Sequence, residues 1–181
     1  TLNINGEHTS YEDSVYTSDL LTEHAVEWME QIESDQPFFV YLSHKAVHSE
    51  FKQAARHAGM YAGVDYELPA TYSQTQDGSY KELLWPEWVK QQRHSWHGVD
   101  YMYHAKGAVG DLVIDYCETL RGVDESIGTV MAYLEARGIA DETVVIYMGD
   151  NGFSWGEHGL IDKRHFYEES AKVPLLVTCP K

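Results

Sequence analysis

Apolar positions recur with two different periods along this chain, and the change of period marks its elements. From Ser18 to Ser34, Leu21, Ala25, Trp28, Met29 and Ile32 return at three- and four-residue steps, the stripe of an amphipathic helix. Ser18 is the expected N-cap, and Asp19 suits the positive end of the helix dipole. Next, Pro37-Phe38-Phe39-Val40-Tyr41-Leu42-Ser43 is a short, nearly unbroken apolar run, which predicts a strand covered on both faces.

Between about 51 and 107 the periodicity dissolves into aromatic, Gly- and Pro-punctuated sequence, including Trp85-Pro86-Glu87-Trp88 and Ser95-Trp96-His97-Gly98-Val99-Asp100-Tyr101. So long an excursion from regular structure suits a functional or inserted segment on the substrate side. A long helix follows from about Val109 to Arg137, with Leu112, Tyr116, Leu120, Val123, Ile127, Val130, Met131 and Leu134 on one stripe and Gly138 as its stop. Thr143-Val144-Val145-Ile146-Tyr147-Met148 and Val173-Pro174-Leu175-Leu176-Val177 predict two more buried strands, with Pro174 near a strand start. Helix, strand, excursion, helix, strand, loop and strand in this order indicate an α/β class.

At 181 residues and 43% hydrophobic the chain can bury a core of one domain or part of one. It contains no apolar run of about 18 residues, so a membrane-spanning helix is not expected. The formal charge of −16 argues against nucleic acid and other polyanions as partners. Cys117 and Cys179 make no disulfide framework and no C-x-x-C metal spacing, and both read as buried free thiols. No signal peptide is visible at Thr1-Leu2-Asn3-Ile4-Asn5-Gly6, so localisation is not read from this end.

Three segments carry chemistry. Gly149-Asp150-Asn151-Gly152 follows a predicted strand and puts a carboxylate and an amide where open α/β sheets bind ligands. Two adjacent hard oxygen donors suit Ca²⁺ or Mg²⁺, although Asp-Asn-Gly is equally ordinary turn chemistry. Ser43-His44-Lys45-Ala46-Val47-His48 ends the other strand with two imidazoles and an ammonium, either a cationic cluster or a solvated basic turn. The loop from Gly156 to Glu169 gathers His158, Lys163, Arg164 and His165 in an acidic chain, with Glu168 and Glu169 available to neutralise them. Hard-cation ligands, anion-attracting groups and an imidazole together are what hydrolysis of a tetrahedral oxyanion ester requires.

Pro37 through His44 with His48, Asp150-Asn151-Gly152, Gly156-Glu157-His158-Gly159, Asp162-Lys163, and Tyr167-Glu168-Glu169 through Val173-Pro174-Leu175-Leu176 together resemble the formylglycine-dependent sulfatases, in order and spacing. The resemblance implies an alkaline-phosphatase-like, mostly parallel sheet flanked by helices, present here as a partial catalytic domain over 1–181. By position, Asp150 and Asn151 resemble that family's last two calcium ligands, Lys163 its sulfate-binding lysine, and His48 the histidine at the ester oxygen. Lys45, His44, His158 and His165 are the accompanying substrate-binding candidates. Asp100, Trp96 and His97 lie in the excursion, where aromatic packing competes with a subsite role.

The family's nucleophile, the cysteine or serine of C-x-P-S-R that becomes formylglycine, has no counterpart here. Cys117-Glu118-Thr119-Leu120-Arg121 has the cysteine and arginine but sits mid-helix. The family's paired aspartates and its glycine-lysine-tryptophan-histidine segment are absent too, so those groups are expected on an amino-terminal portion outside this chain. The resemblance implies a sulfate ester hydrolase using Ca²⁺, with Mg²⁺ the lesser candidate, and acting on a sulfated small molecule or glycan. It also implies a periplasmic, secreted or lysosome-like setting. Two alternatives remain: a phosphodiesterase or phosphonate hydrolase of the same superfamily, and a non-catalytic truncated sulfatase module.

Overall fold

The computed structural model describes residues 1–73, 82, 84–92, 94 and 109–180. Trp96, His97 and Asp100 lie outside the described residues. The chain divides into two compact units, Thr1–Met60 with Tyr116–Ala140, and Tyr61–Asp115 with Asp141–Lys181.

The first unit opens with a hairpin of β1 (Leu2–Ile4) and β2 (Glu7–Thr9), in which Ile4 faces Glu7. Asn5 and Gly6 both take positive φ, 54° and 97°, the two-residue turn whose twist matches an antiparallel pair. Helix α1 (Thr17–Glu30) is capped at Tyr16, without a side-chain hydrogen bond. The expected cap, Ser18, is instead the second residue of the helix: it is buried, and its carbonyl accepts a bond from the Thr22 hydroxyl at 2.7 Å. Thr22 in turn shares a 2.6 Å bond with Ser126, so α1 packs partly through hydroxyls where the apolar stripe predicts only hydrocarbon.

In the second unit, α2 (Ala70–Ser73) and α3 (Glu87–Gln92) fall inside the expected excursion, which is therefore not wholly irregular. Pro86 precedes α3, where its fixed φ and missing N–H suit a helix start, and Val89 is its buried anchor. Helix α4 (Val109–Ala136) runs through both units and matches the expected long helix. Gly138, at φ 74°, ends it as foreseen: its N–H bonds Glu135 O at 2.9 Å and that of Ile139 bonds Leu134 O at 3.0 Å, a Schellman closure.

Strand β3 (Val145–Met148) pairs antiparallel with β6 (Leu175–Thr178), and Met148 faces Leu175. The loop 149–174 therefore leaves and rejoins the ladder at one end. It contains the antiparallel pair β4 (Ser154–Trp155) and β5 (Ile161–Asp162) and the short helix α5 (Glu168–Ala171).

Two expectations about strands change. Pro37–Ser43 forms no strand, and Phe39 and Tyr41 are exposed, because an apolar run encodes a strand only when a neighbour supplies the ladder. All three ladders among the described residues are antiparallel. Cys179 is exposed, not buried, since β6 itself is exposed along its length. No helix among the described residues is long and apolar enough to cross a membrane.

Candidate metal and anion site

The Asp150-Asn151-Gly152 loop leaves the end of β3 and is fixed by backbone contact. Gly152 N–H donates to Ser170 O at 2.9 Å, and a Cβ on Gly152 would overlap Glu169 O and come within 2.7 Å of Lys172 O. The glycine is therefore required by the approach of α5, not by an unusual φ. The Asn151 N–H donates to Asp150 Oδ1 at 2.9 Å, and Asn151 Nδ2 donates to Gly152 O at 2.7 Å. With its nitrogen so engaged, the amide keeps Oδ1 as its acceptor atom, next in sequence to the exposed Asp150 carboxylate. Two oxygens are thus available from adjacent residues.

Ser170 ties the charged loop to the same helix. Its hydroxyl lies 3.4 Å from Asp162 O and 3.0 Å from His165 Nδ1. Donating to the carbonyl and accepting from Nδ1–H satisfies both, and leaves Nε2 of this buried histidine as a bare lone pair without a partner. Burial is the main cause that lowers the His165 pKa, against opposing pulls from Asp162, Glu169 and Glu157. His165 is therefore a neutral packing group.

His158, at φ 54°, stacks on Tyr167 with ring centroids 3.9 Å apart, and its Nε2 lies 3.5 Å from Glu169 Oε2. Arg164 is taken by Asp162, Nη1 to Oδ2 at 2.6 Å, so Asp162 and not Glu168 or Glu169 neutralises it. Lys163 has no ion-pair partner among the described residues. Of Lys163, Arg164 and His165, Lys163 alone is a charged group without an ion-pair partner among the described residues.

In the first unit, His44 Nε2 is bonded to Ser126 Oγ at 2.9 Å, and burial lowers its pKa. His44 thereby joins the buried hydroxyl chain of Ser126 and Thr22. Lys45 and His48 are exposed; the His48 backbone N–H closes a turn onto Lys45 O at 2.9 Å, and its Nδ1 donates to Ser49 O at 2.8 Å. That bond uses Nδ1 as the donor and leaves Nε2 as the ring's other nitrogen.

The same unit holds a network that sequence reasoning missed. Arg56 makes two 2.7 Å bonds to the Asp19 carboxylate and a 2.8 Å bond from Nε to Glu125, whose other oxygen lies 2.9 Å from the buried His57 Nε2. The His57 and Arg56 bonds hold the Glu125 carboxyl below its usual range. Ordinary charged residues 37 and 69 positions apart give no motif to find.

Comparison with known proteins assigns this architecture. The Sulfatase family profile matches residues 3–181. The chain belongs to the sulfatase family. It is 28% identical to an N-acetylglucosamine-6-O-sulfatase of Bacteroides thetaiotaomicron, over 92% of this chain and 38% of that protein. It is 27% identical to the N-acetylglucosamine-6-sulfatase of Capra hircus, over 99% of this chain and 31% of the relative. Among solved structures, BT4656 in complex with its substrate D-glucosamine-2-N,6-O-disulfate superposes with a TM-score of 0.72 at 25% identity, covering 97% of this chain and 45% of that one. The phosphonate monoester hydrolase of Agrobacterium radiobacter also gives a TM-score of 0.72, at 18% identity over 94% of this chain and 34% of that one, and shares the fold. The chain spans about a third to two fifths of the length of these curated relatives.

For a sulfatase of this fold the implied metal is a hard cation, and the donor set fits it in part. Asp150 and Asn151 offer carboxylate and amide oxygens on a loop locked by Gly152, the ligand types that Ca²⁺ takes. Among the described residues no three His, Cys, Asp or Glu side chains are grouped to hold a metal ion. Ca²⁺ takes roughly six to eight oxygens, so most ligands would have to come from elsewhere or from water.

Proposed function

We propose that these residues are part of a hydrolase of sulfate monoesters that acts on a carbohydrate sulfate, with 6-O-sulfated glucosamine the leading substrate class. The match to the sulfatase family over 3–181 supports this reading, as do the printed activities of the N-acetylglucosamine-6-sulfatase relatives. The observation that carries it is the Asp150-Asn151 pair on a loop locked at the end of β3, in the same unit as Lys163, which has no ion-pair partner among the described residues.

Asp150 and Asn151 would hold the cation, Ca²⁺ in preference to Mg²⁺, since an irregular protein-oxygen set suits the larger ion. When bound, it would polarise the nonbridging oxygens of the ester. Lys163 offsets the charge that remains on the sulfate. His48, exposed and bonded through Nδ1 to Ser49 O, is the candidate general acid for the leaving alkoxide oxygen. Lys45 and His158 are the accessible substrate contacts, whereas His44 and His165 act as positioning residues through Ser126 and Ser170.

The nucleophile, a formylglycine on this reading, lies outside these 181 residues. Cys117 does not replace it: the residue is inside α4, and burial followed by the Glu118 charge raises its thiol pKa, opposite to the shift a reactive thiolate needs. The purified 181-residue chain should therefore show no turnover of an activated aryl sulfate above the uncatalysed rate. Turnover that persists through repeated purification would place a nucleophile within it and overturn this reading.

A further inference from the structure

Helix α4 turns a polar face toward the segment that carries Lys45 and His48. Glu118, Gly122, Glu125 and Ser126 follow one another at helical spacing and share that face. Glu118 and Ser126 are buried, and buried polar side chains on a helix require partners. The partners come from the segment 44–57. Gln53 Nε2 donates to Glu118 Oε2 at 3.0 Å. Glu125 accepts from Arg56 Nε on one oxygen and from the buried His57 Nε2–H on the other. Gly122 leaves room for the Tyr16 ring, which a Cβ would approach to 2.7 Å, and the Arg56 guanidinium lies 5.9 Å from the centroid of that ring.

Proton counting fixes the direction of the contact at Ser126. The Thr22 hydroxyl gives its one proton to Ser18 O, so in its 2.6 Å bond with Ser126 it accepts. The Ser126 proton is therefore committed to Thr22, and Ser126 Oγ accepts from His44 Nε2–H at 2.9 Å. Ser126 thus sets both the place and the tautomer of the His44 ring. His44 directly precedes Lys45, while Arg56 and His57 follow His48. The bonds of His48 itself go to Lys45 and Ser49, its neighbours in sequence. Two adjacent residues of α4 therefore grip the segment on either side of His48.

We infer that Glu125 is a positioning residue for His48: through Arg56 and His57 it holds the downstream end of the segment 44–57, as Ser126 holds the upstream end through His44. This rests on the reading of His48 as general acid and extends it to a residue that acts through others. Exposed ion pairs add little to overall stability, and the Arg56 and Glu125 side chains are 44% and 42% exposed. Loss of Glu125 therefore leaves the fold standing. A general acid, by contrast, works only within about 2.6–3.2 Å of the oxygen it protonates, and a displacement of about 1 Å costs about 10²-fold. The effect falls on leaving groups that need a proton.

The test uses the longest polypeptide that contains these residues, as parent, Glu125→Ala, Ser126→Ala, the double variant and His48→Ala. Each is assayed on an activated aryl sulfate, whose phenolate leaves unaided, and on 6-O-sulfated N-acetylglucosamine, whose alkoxide does not. Glu125→Ala should keep kcat on the aryl ester within about threefold and lose at least about thirtyfold on the sugar ester. Its urea midpoint should move by less than about 0.5 M, and amide exchange of the segment 44–50 should quicken at least about tenfold. Since release of either end frees the segment, the double variant should lose no more than the worse single variant. If Glu125→Ala does not fold, Arg56→Gln, at an exposed position, carries the same expectations. Equal losses on the two esters, unchanged exchange, or single losses that multiply in the double variant would overturn the inference. His48→Ala separates the two failures. If it does not lose more on the sugar ester than on the aryl ester, the general-acid reading falls; if it does and Glu125→Ala does not, this inference alone falls.

Discussion

Gly152→Ala tests whether close backbone approach, and not turn preference, holds the Asp150-Asn151 loop. The added Cβ meets two carbonyl oxygens of the α5 region, Glu169 O and Lys172 O, and the second contact, at 2.7 Å, is already closer than real Cβ atoms come. Both are backbone atoms, so α5 itself must shift, and with it the Gly152 N–H to Ser170 O bond. Overpacking of this kind costs about 1–3 kcal/mol, and the backbone origin of the clash argues for the upper half. With a urea slope of about 2 kcal/mol per molar, the midpoint should fall by about 1 M, read by tryptophan fluorescence. Gly128→Ala is the matched control: it sits inside α4 with nothing within 4 Å of the new Cβ, and should raise stability by about 0.5–1 kcal/mol. If Gly152→Ala stays within about 0.5 kcal/mol of the parent while the control behaves, the loop is not held by this approach and the argument for a preset oxygen pair fails.

Acidification should destabilise the fold through His165. Its folded pKa lies below its ordinary value near 6.5 because the ring is buried, so its stabilising contribution is whole above that value and is lost as pH falls through the folded pKa. The urea midpoint should drop between about pH 7.5 and pH 5.5 with a shallower slope in His165→Gln, and equal slopes would show that the ring titrates freely. Calorimetry of the chain alone should find Ca²⁺ binding weaker than about 1 mM, with Asp150→Ala removing what there is. Tight stoichiometric binding that survives that substitution would put the metal elsewhere.

What the sequence makes legible is local. The α4 stripe and its Gly138 stop depend on periodicity and on one residue free to take positive φ, and both emerge where the pattern puts them. The strand expected at Thr143–Met148 emerges as Val145–Met148 from its apolar run, but the burial expected of it does not, since Val144, Ile146 and Met148 are exposed. Pro37–Ser43 fails because a ladder needs a partner that composition does not name. Ser18 fails as a cap because the helix starts earlier, with Tyr16 at the cap, and because its carbonyl accepts from the Thr22 hydroxyl, whose other partner, Ser126, lies 104 positions from Thr22 and is invisible to local pattern. Within the site, the Asp-Asn-Gly motif is visible, but its lock is not, since Ser170 and Glu169 are ordinary residues until α5 approaches. The cationic loop is legible only as composition: Arg164 pairs with Asp162 and His165 is buried, which leaves Lys163 as its charged group without an ion-pair partner among the described residues.

The central claim is that the Asp150 and Lys163 groups serve sulfate ester hydrolysis. It is tested most directly by sulfate release from 6-O-sulfated N-acetylglucosamine, with a phosphonate monoester as the competing substrate. The enzyme is the longest polypeptide that contains these residues, as parent, Asp150→Ala and Lys163→Ala. The account predicts that the sulfate ester is the preferred substrate, that Asp150→Ala abolishes turnover, and that Lys163→Ala lowers it by about 10²-fold or more, as for other preset charge-stabilising groups. Preference for the phosphonate, or turnover indifferent to both substitutions, would contradict it.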